Sequence, residues 1–231
     1  MSVRLLLIRH GRVDFASKDF VESPRGRQYD PPLDERGREQ ATRLAARLTL
    51  METPAVIATS PFRRCIETLE PYLSASGLQA EPVDDLGEVF IGDWEGLGFE
   101  EIVGKDEDLA RKFRDQEPMF SLAPRGESGG QLRERVVPAV EELLDSVTDG
   151  IVVAVAHGGV INAYLGHVMG IEHDMFFLPE NASINSVLAE SGRREVRFLN
   201  DVRHLTDPEL FAPPAGVGRH AEPGPRADAE E

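Results

Sequence analysis

Three largely apolar stretches punctuate the chain, at residues 5–8, 55–59, where Thr59 is the one polar member, and 151–156. None alternates with polar positions. That is the pattern of strands buried on both faces, as in a parallel sheet covered by helices. Elsewhere the period changes. Ala41, Leu44, Ala45 and Leu48 fall at i, i+3, i+4 and i+7, one stripe of an amphipathic helix. Phe62, Ile66, Leu69 and Leu73 make a second stripe, and Val160, Ala163, Tyr164, Val168 and Met169 another. Leu132, Val136, Val140, Leu143 and Val147 are interrupted by Pro138, which predicts a kink or a late helix start. Residues 80–86 read as a further strand. Residues 182–190 and 195–201 read as two more, joined around Gly192-Arg193 into a hairpin that closes the sheet with an antiparallel edge. The predicted fold is α/β: a three-layer α/β/α sandwich on a mostly parallel central sheet.

The intervening segments carry no clear period. Residues 12–32, rich in charge, glycine and proline, read as a loop bordering a site. Residues 98–119 are charged and predict one or two short helices forming a cap. Residues 1–206 form the expected domain. Residues 207–231, rich in proline, glycine, alanine and acid, read as a disordered tail.

In open parallel sheets the working residues sit just past the carboxyl ends of strands. Two apolar runs end in Arg9-His10-Gly11 and His157-Gly158-Gly159. Arginine offers a fixed cationic fork, imidazole a nucleophile or base, and glycine a close approach of backbone to a ligand. A lone histidine is usually a satisfied core residue, but two at strand ends of one sheet argue for a shared site. After the run at 55–59, Ser60-Pro61 reads as N-cap and first position of a helix. Arg63 and Arg64 then oppose the macrodipole, at about a few tenths of a kcal/mol. Arg63 reads as solvated. An anion held at the helix start would offset the cost at Arg64. The loop at 87–96 carries Glu88, Asp93, Glu95 and the only tryptophan.

Composition narrows the function. The 231 residues are 41% hydrophobic and 29% charged, with a net charge of −16. That balance argues against nucleic acid and anionic membranes as partners, while a few arginines in a cleft still suit a small anion. The single cysteine, Cys65, excludes an internal disulfide framework and a cysteine-rich zinc site. The first apolar run is too short for a signal peptide and no stretch has the length of a spanning helix. These features predict a cytoplasmic protein.

Together these residues resemble the histidine phosphatases, the phosphoglycerate mutase-like superfamily, from about Val3 to Leu205. The resemblance rests on Leu7-Ile8-Arg9-His10-Gly11, Ser60-Pro61-Phe62-Arg63-Arg64, Leu86-Gly87-Glu88 with Gly92-Asp93-Trp94-Glu95-Gly96, Gly126-Glu127-Ser128 with Arg135, and Ala156-His157-Gly158-Gly159. It implies His10 as nucleophile, Glu88 as proton donor, and His157 as the second catalytic imidazole. It implies phosphate binding by Arg9, Arg64, Gly11 and Gly158. It also implies a small phosphorylated metabolite as substrate, with no metal and no other cofactor. The expected activity is a phosphatase working through a phosphohistidine. A phosphoglycerate mutase and a weakly active phospho-ligand-binding protein are the alternatives. The segment after Gly96 lacks the tryptophan and paired arginines typical of mutases, although Arg111, Lys112 and Arg114 could hold a second carboxylate. Arg12, Val13 and Ala16 depart from the family pattern, which often has an acid or amide, a hydroxyl residue and an asparagine there. Arg12 either compensates for the missing phosphate donor or recognises a second anionic group.

Overall fold

The computed structural model describes residues 2–104, 107–115 and 119–207. Its central sheet is built on β1 (Ser2–Arg9), with β4 (Val56–Thr59), β5 (Glu81–Pro82), β6 (Gly150–Ala156), β7 (Ile184–Glu190) and β8 (Arg193–Asp201). The six strands run in the order β5-β4-β6-β1-β7-β8. β1, β4, β5 and β6 pair in parallel, whereas β7 runs antiparallel to β1 and β8 antiparallel to β7. The predicted antiparallel edge is therefore present. Its turn places Ser191 at φ 49° and Gly192 at φ 77°, the left-handed pair that matches strand twist in a tight hairpin.

The unbroken apolar runs have a direct cause. Leu5 and Leu7 of β1 pack on one face, with Val152, Ala154, α5 (Gly129–Asp145) and α6 (Gly158–Met169). Leu6 and Ile8 pack on the other, with Val153, Val155, α1 (Glu35–Thr49) and α2 (Arg63–Ser76). Each such buried leucine contributes roughly 1.5–3 kcal/mol, so a strand polar on alternate positions would not hold this central place.

Several expectations are corrected. Residues 12–32 contain a hairpin, β2 (Phe20–Ser23) and β3 (Gly26–Tyr29). It is pinned by the Phe20 ring edge-on to Tyr29 and by Arg27 over Phe20, contacts that leave no apolar period to read. Residues 80–86 give only the two-residue β5 and a 3₁₀ turn at Asp84–Leu86; the Val83 N–H still donates to the Thr59 carbonyl at 2.9 Å, and Pro82 sits with its nitrogen on the open side of this edge strand. Ser60 does not cap α2. That helix starts at Arg63, whose N–H donates to both Asp30 carboxylate oxygens at 3.0 and 3.1 Å. Its inward face carries Arg64, Cys65, Thr68, Leu69 and Tyr72, while Ile66 is 48% exposed. Two polar residues displace the apolar stripe because they serve the site. α5 begins at Gly129 with a Ser128/Gln131 capping box and runs through Pro138, so the late start is not observed.

α3 (Phe99–Val103) and α4 (Glu107–Arg114) supply the short helices expected after the glycine-rich loop, and α7 (Arg203–Thr206) ends the described chain. The tail read from the sequence lies, from residue 208 onward, outside the described residues. No described helix is long and apolar enough to cross a membrane.

Candidate active site

Pairing of β1 with β6 sets Arg9 opposite Ala156, so the two strands release their next residues side by side. The His10 N–H donates to the Ala156 carbonyl at 3.0 Å, and the His10 and His157 rings lie 5.2 Å apart between centroids. β4, on the other side of β6, delivers Ser60 to the same edge. The first turn of α2 brings Arg64. Its guanidinium lies over the Phe62 ring, which itself meets His157 edge-on at 5.2 Å.

His10 is buried, and its Nδ1 sits 2.8 Å from the Gly11 carbonyl oxygen. A carbonyl only accepts, so Nδ1 carries the hydrogen and Nε2 keeps its lone pair. Burial, then Arg64 and Arg9, hold the imidazole well below its usual range, which keeps it neutral at pH 7. His157 is lowered for the same reasons. Its Nε2 lies 2.7 Å from Ser60 Oγ. That hydroxyl accepts the Phe62 N–H at 3.4 Å and keeps its own proton to donate to Nε2, which with the acceptor-only Glu88 carboxylate on the other side of the ring matches a hydrogen on His157 Nδ1.

Glu88 faces that Nδ1 with Oε2 at 4.0 Å. Its Oε1 accepts from the Val89 N–H at 3.0 Å and the Gly159 N–H at 3.2 Å. A Cβ at Gly159 would lie 2.6 Å from Glu88 Oε1, so any larger residue there would push the carboxylate off this N–H. From behind, Arg135 donates to the carbonyls of Asp85, Gly87 and Glu88 and forks onto Glu127 at 2.6 and 2.9 Å. The other two loop carboxylates are engaged elsewhere. Asp93 pairs with Arg125, and Glu95 accepts from the Tyr29 and Ile91 N–H groups.

Arg9 donates through Nη1 to the Pro179 carbonyl, and its buried Nε has no partner among the described residues. Burial lowers its pKa, with Glu88 opposing. Arg64 is held by the Tyr29 carbonyl at 3.1 Å and Asp30 at 3.3 Å. Burial in turn raises the Asp30 carboxyl, against the pull of the Arg63 N–H and Arg64. Gly11 is fixed by its N–H to Thr68 Oγ1 at 2.9 Å, and Gly158 opens α6 next to Arg9. A cavity of about 510 Å³ adjoins Arg64 and Glu88, walled by Phe15, Tyr29, Ile91 and Leu97.

All seven residues singled out from the sequence thus converge. The departures do not join them: Arg12 turns to Asp34 at 3.1 Å, Val13 is buried against Leu33, and the Ala16 N–H donates to Asp14. Cys65 is buried 3.5 Å from His157 Nε2, and burial pushes its thiol up, away from the thiolate a nucleophile needs. Sequence reasoning missed Asp30 and Thr68 and gave Ser60 a different role. Thr68 shows only as a polar position on the inward face of α2, and Asp30, just past β3, carries no local signal.

Neutral imidazoles, two arginines and a carboxylate at strand ends of a parallel sheet define a site for phosphoryl chemistry. The model of the histidine phosphatase superfamily, branch 1, matches residues 5–202. The chain belongs to that superfamily and is a phosphohydrolase. A glucosyl-3-phosphoglycerate phosphatase of Mycolicibacterium vanbaalenii is 31% identical over 179 residues, 74% of this chain and 76% of that protein. Phosphoserine phosphatase 1 of Hydrogenobacter thermophilus is 30% identical over 208 residues, 88% of this chain and 94% of its own length. The structure of Bacillus stearothermophilus YhfR is similar with a TM-score of 0.76 at 28% identity, covering 88% of this chain and 99% of that one.

Proposed function

We propose that the chain hydrolyses a small phosphomonoester, without a metal ion, through a phosphohistidine at His10. The observation that carries this reading is the His10 Nδ1–Gly11 carbonyl bond, which aims a neutral, lone-pair-bearing Nε2 into a cationic pocket. In the first step Nε2 attacks phosphorus and the bond to the leaving oxygen breaks, while Glu88, as the acid, gives that oxygen its proton. In the second step Glu88 takes a proton from water, the hydroxide attacks phosphorus, and the P–N bond breaks to release phosphate. Arg9, Arg64 and the Nδ1–H of His157 neutralise the phosphoryl oxygens, a task metal ions serve in other enzymes.

Gly11 and Gly158 contribute backbone at the phosphate, with Gly158 at the positive end of α6. The adjoining cavity is placed to take the alcohol part of substrates such as those the relatives are named for, phosphoserine and glucosyl-3-phosphoglycerate. Residues 1–206 form the catalytic unit in this reading, and the single cysteine suits action in the cytoplasm.

Glu88→Gln, assayed with EDTA present, tests the roles together. Phosphate release from an alkyl phosphomonoester should fall roughly a hundredfold to ten-thousandfold, and less for nitrophenyl phosphate, whose leaving group needs no proton. Equal losses on both substrates, or wild-type activity abolished by EDTA, would overturn it. Turnover of 3-phosphoglycerate to 2-phosphoglycerate far exceeding phosphate release would assign the mutase reaction instead.

A further inference from the structure

A second cavity, of about 290 Å³, opens between the start of α1 and the segment that precedes β7. Arg9, Arg12 and Arg36 line it, together with Gln40, Glu180 and Asn181. Of the residues placed at the phosphate site only Arg9 is shared, as its wall. The phosphatase mechanism leaves Arg12, Arg36 and Gln40 unused.

We propose that this cavity is an oxyanion site separate from the catalytic one, taking a phosphate or carboxylate group. Gln40 is 9% exposed, and its Oε1 accepts the Arg12 N–H at 2.8 Å. That bond fixes the amide, so the Nε2 group is a donor without a partner among the described residues. Arg12 holds Asp34 through Nε, which leaves the end of its fork unengaged. Arg36 lies one helical turn before Gln40 on the same face and has no ion pair among the described residues. Asn181 donates its Nδ2 to the His10 carbonyl, so its amide is already committed to the catalytic loop.

Three guanidiniums thus stand against two carboxylates, the lining Glu180 and the Asp34 that Arg12 holds, in a chain whose net charge is −16. Like charges gathered in a cleft repel one another unless an anion enters, and planar forks with an amide donor suit the oxygens of phosphate or carboxylate. Two sources have that chemistry: free phosphate and a second acid group on the substrate. In-line displacement sends the leaving group away from His10, toward Glu88 and the larger cavity. The occupant favoured here is therefore free phosphate, the reaction's own product.

The test titrates inorganic phosphate into the full chain, alone and saturated with vanadate at the catalytic site, by calorimetry. Two phosphates per chain are expected alone, and one with vanadate. Arg36→Glu should weaken the vanadate-insensitive phosphate at least tenfold. Gln40→Glu, which keeps the acceptor for Arg12 but removes the amide donor, should do the same. Neither variant should shift the vanadate inhibition constant. In phosphate-free assays, unchanged KM values of Arg36→Glu for nitrophenyl phosphate and 3-phosphoglycerate support the free-phosphate source. A KM raised only for 3-phosphoglycerate supports the oxyanion site with the substrate's carboxylate as occupant. Absence of any phosphate on the vanadate-saturated enzyme, or unaltered affinity in both variants together with unaltered KM values, overturns the proposal.

Discussion

Glu88 and Ser60 bracket the His157 ring: the carboxylate, which only accepts, faces Nδ1 at 4.0 Å, and the Ser60 hydroxyl, 2.7 Å from Nε2, can donate there. Removing the hydroxyl as Ser60→Ala should populate the other tautomer and lower kcat/KM about tenfold, the scale of one lost buried hydrogen bond. Long-range ¹H–¹⁵N correlation of the His157 ring reads the tautomer directly, and Ser60→Thr should restore it. An unchanged ring spectrum with wild-type rate would remove Ser60 from the mechanism. Legibility at this scale follows locality. His10, Glu88 and His157 stand in short contiguous motifs and are readable in the chain. Asp30 and Thr68 act only because the chain brings β3 to α2 and α2 to the β1 loop, and no local pattern marks that.

At the scale of elements, the phosphate loop depends on how closely α1 is pressed against it. Arg12 O accepts the Asp34 N–H at 3.0 Å, and an ideal Cβ on Gly37 would lie 1.9 Å from that same oxygen. A Cβ on Gly11 would lie 2.9 Å from the Gly37 carbonyl. In an exposed helix Gly→Ala ordinarily stabilises by about 1 kcal/mol. Here the sign reverses: Gly37→Ala should destabilise by roughly 1–3 kcal/mol through overpacking and should raise KM by displacing the loop. Thermal unfolding with steady-state assays checks both, and a raised Tm with unchanged KM would contradict the packing account. The helical stripes of α1 and α5 are readable because each buries an apolar face, whereas α6 is buried all round from Gly158 to Gly166 and Met169 of its expected stripe is 36% exposed. α2 was misread in detail because its buried face carries Arg64 and Thr68. The β2–β3 hairpin was invisible because cross-strand ring and cation contacts hold it.

At the scale of the whole molecule, three buried histidines make folding depend on pH. His10, His157 and His204 all have lowered pKa values through burial, His204 to about 4 from an ordinary 6.5. Below pH 6.5 the unfolded chain binds protons on these rings that the folded protein refuses. Stability therefore falls as pH falls, by up to about 1.4 kcal/mol per pH unit for each ring, down to its folded pKa. Urea midpoints should drop between about pH 7 and pH 5, a range above most carboxylate titrations. His204→Leu, at a ring that reaches the catalytic loop through the Ala182 backbone, should flatten the slope, and a midpoint constant across that range would contradict the assignment. The mostly parallel sheet was legible at this scale from runs without alternation. The strand order was not, because β1 pairs with β6, far along the chain, and with the antiparallel β7.

Every role assigned to the site turns on transfer of the phosphoryl group to His10 Nε2. Enzyme mixed with a ³²P-labelled phosphomonoester and quenched in alkali within a turnover should yield one labelled peptide, containing His10-Gly11-Arg12, with phosphate on His10. The label should vanish in His10→Ala, while in Glu88→Gln it should form more slowly than in the wild-type enzyme. Rapid hydrolysis by wild type with no acid-labile phosphate on His10, or wild-type turnover by His10→Ala, would contradict the account.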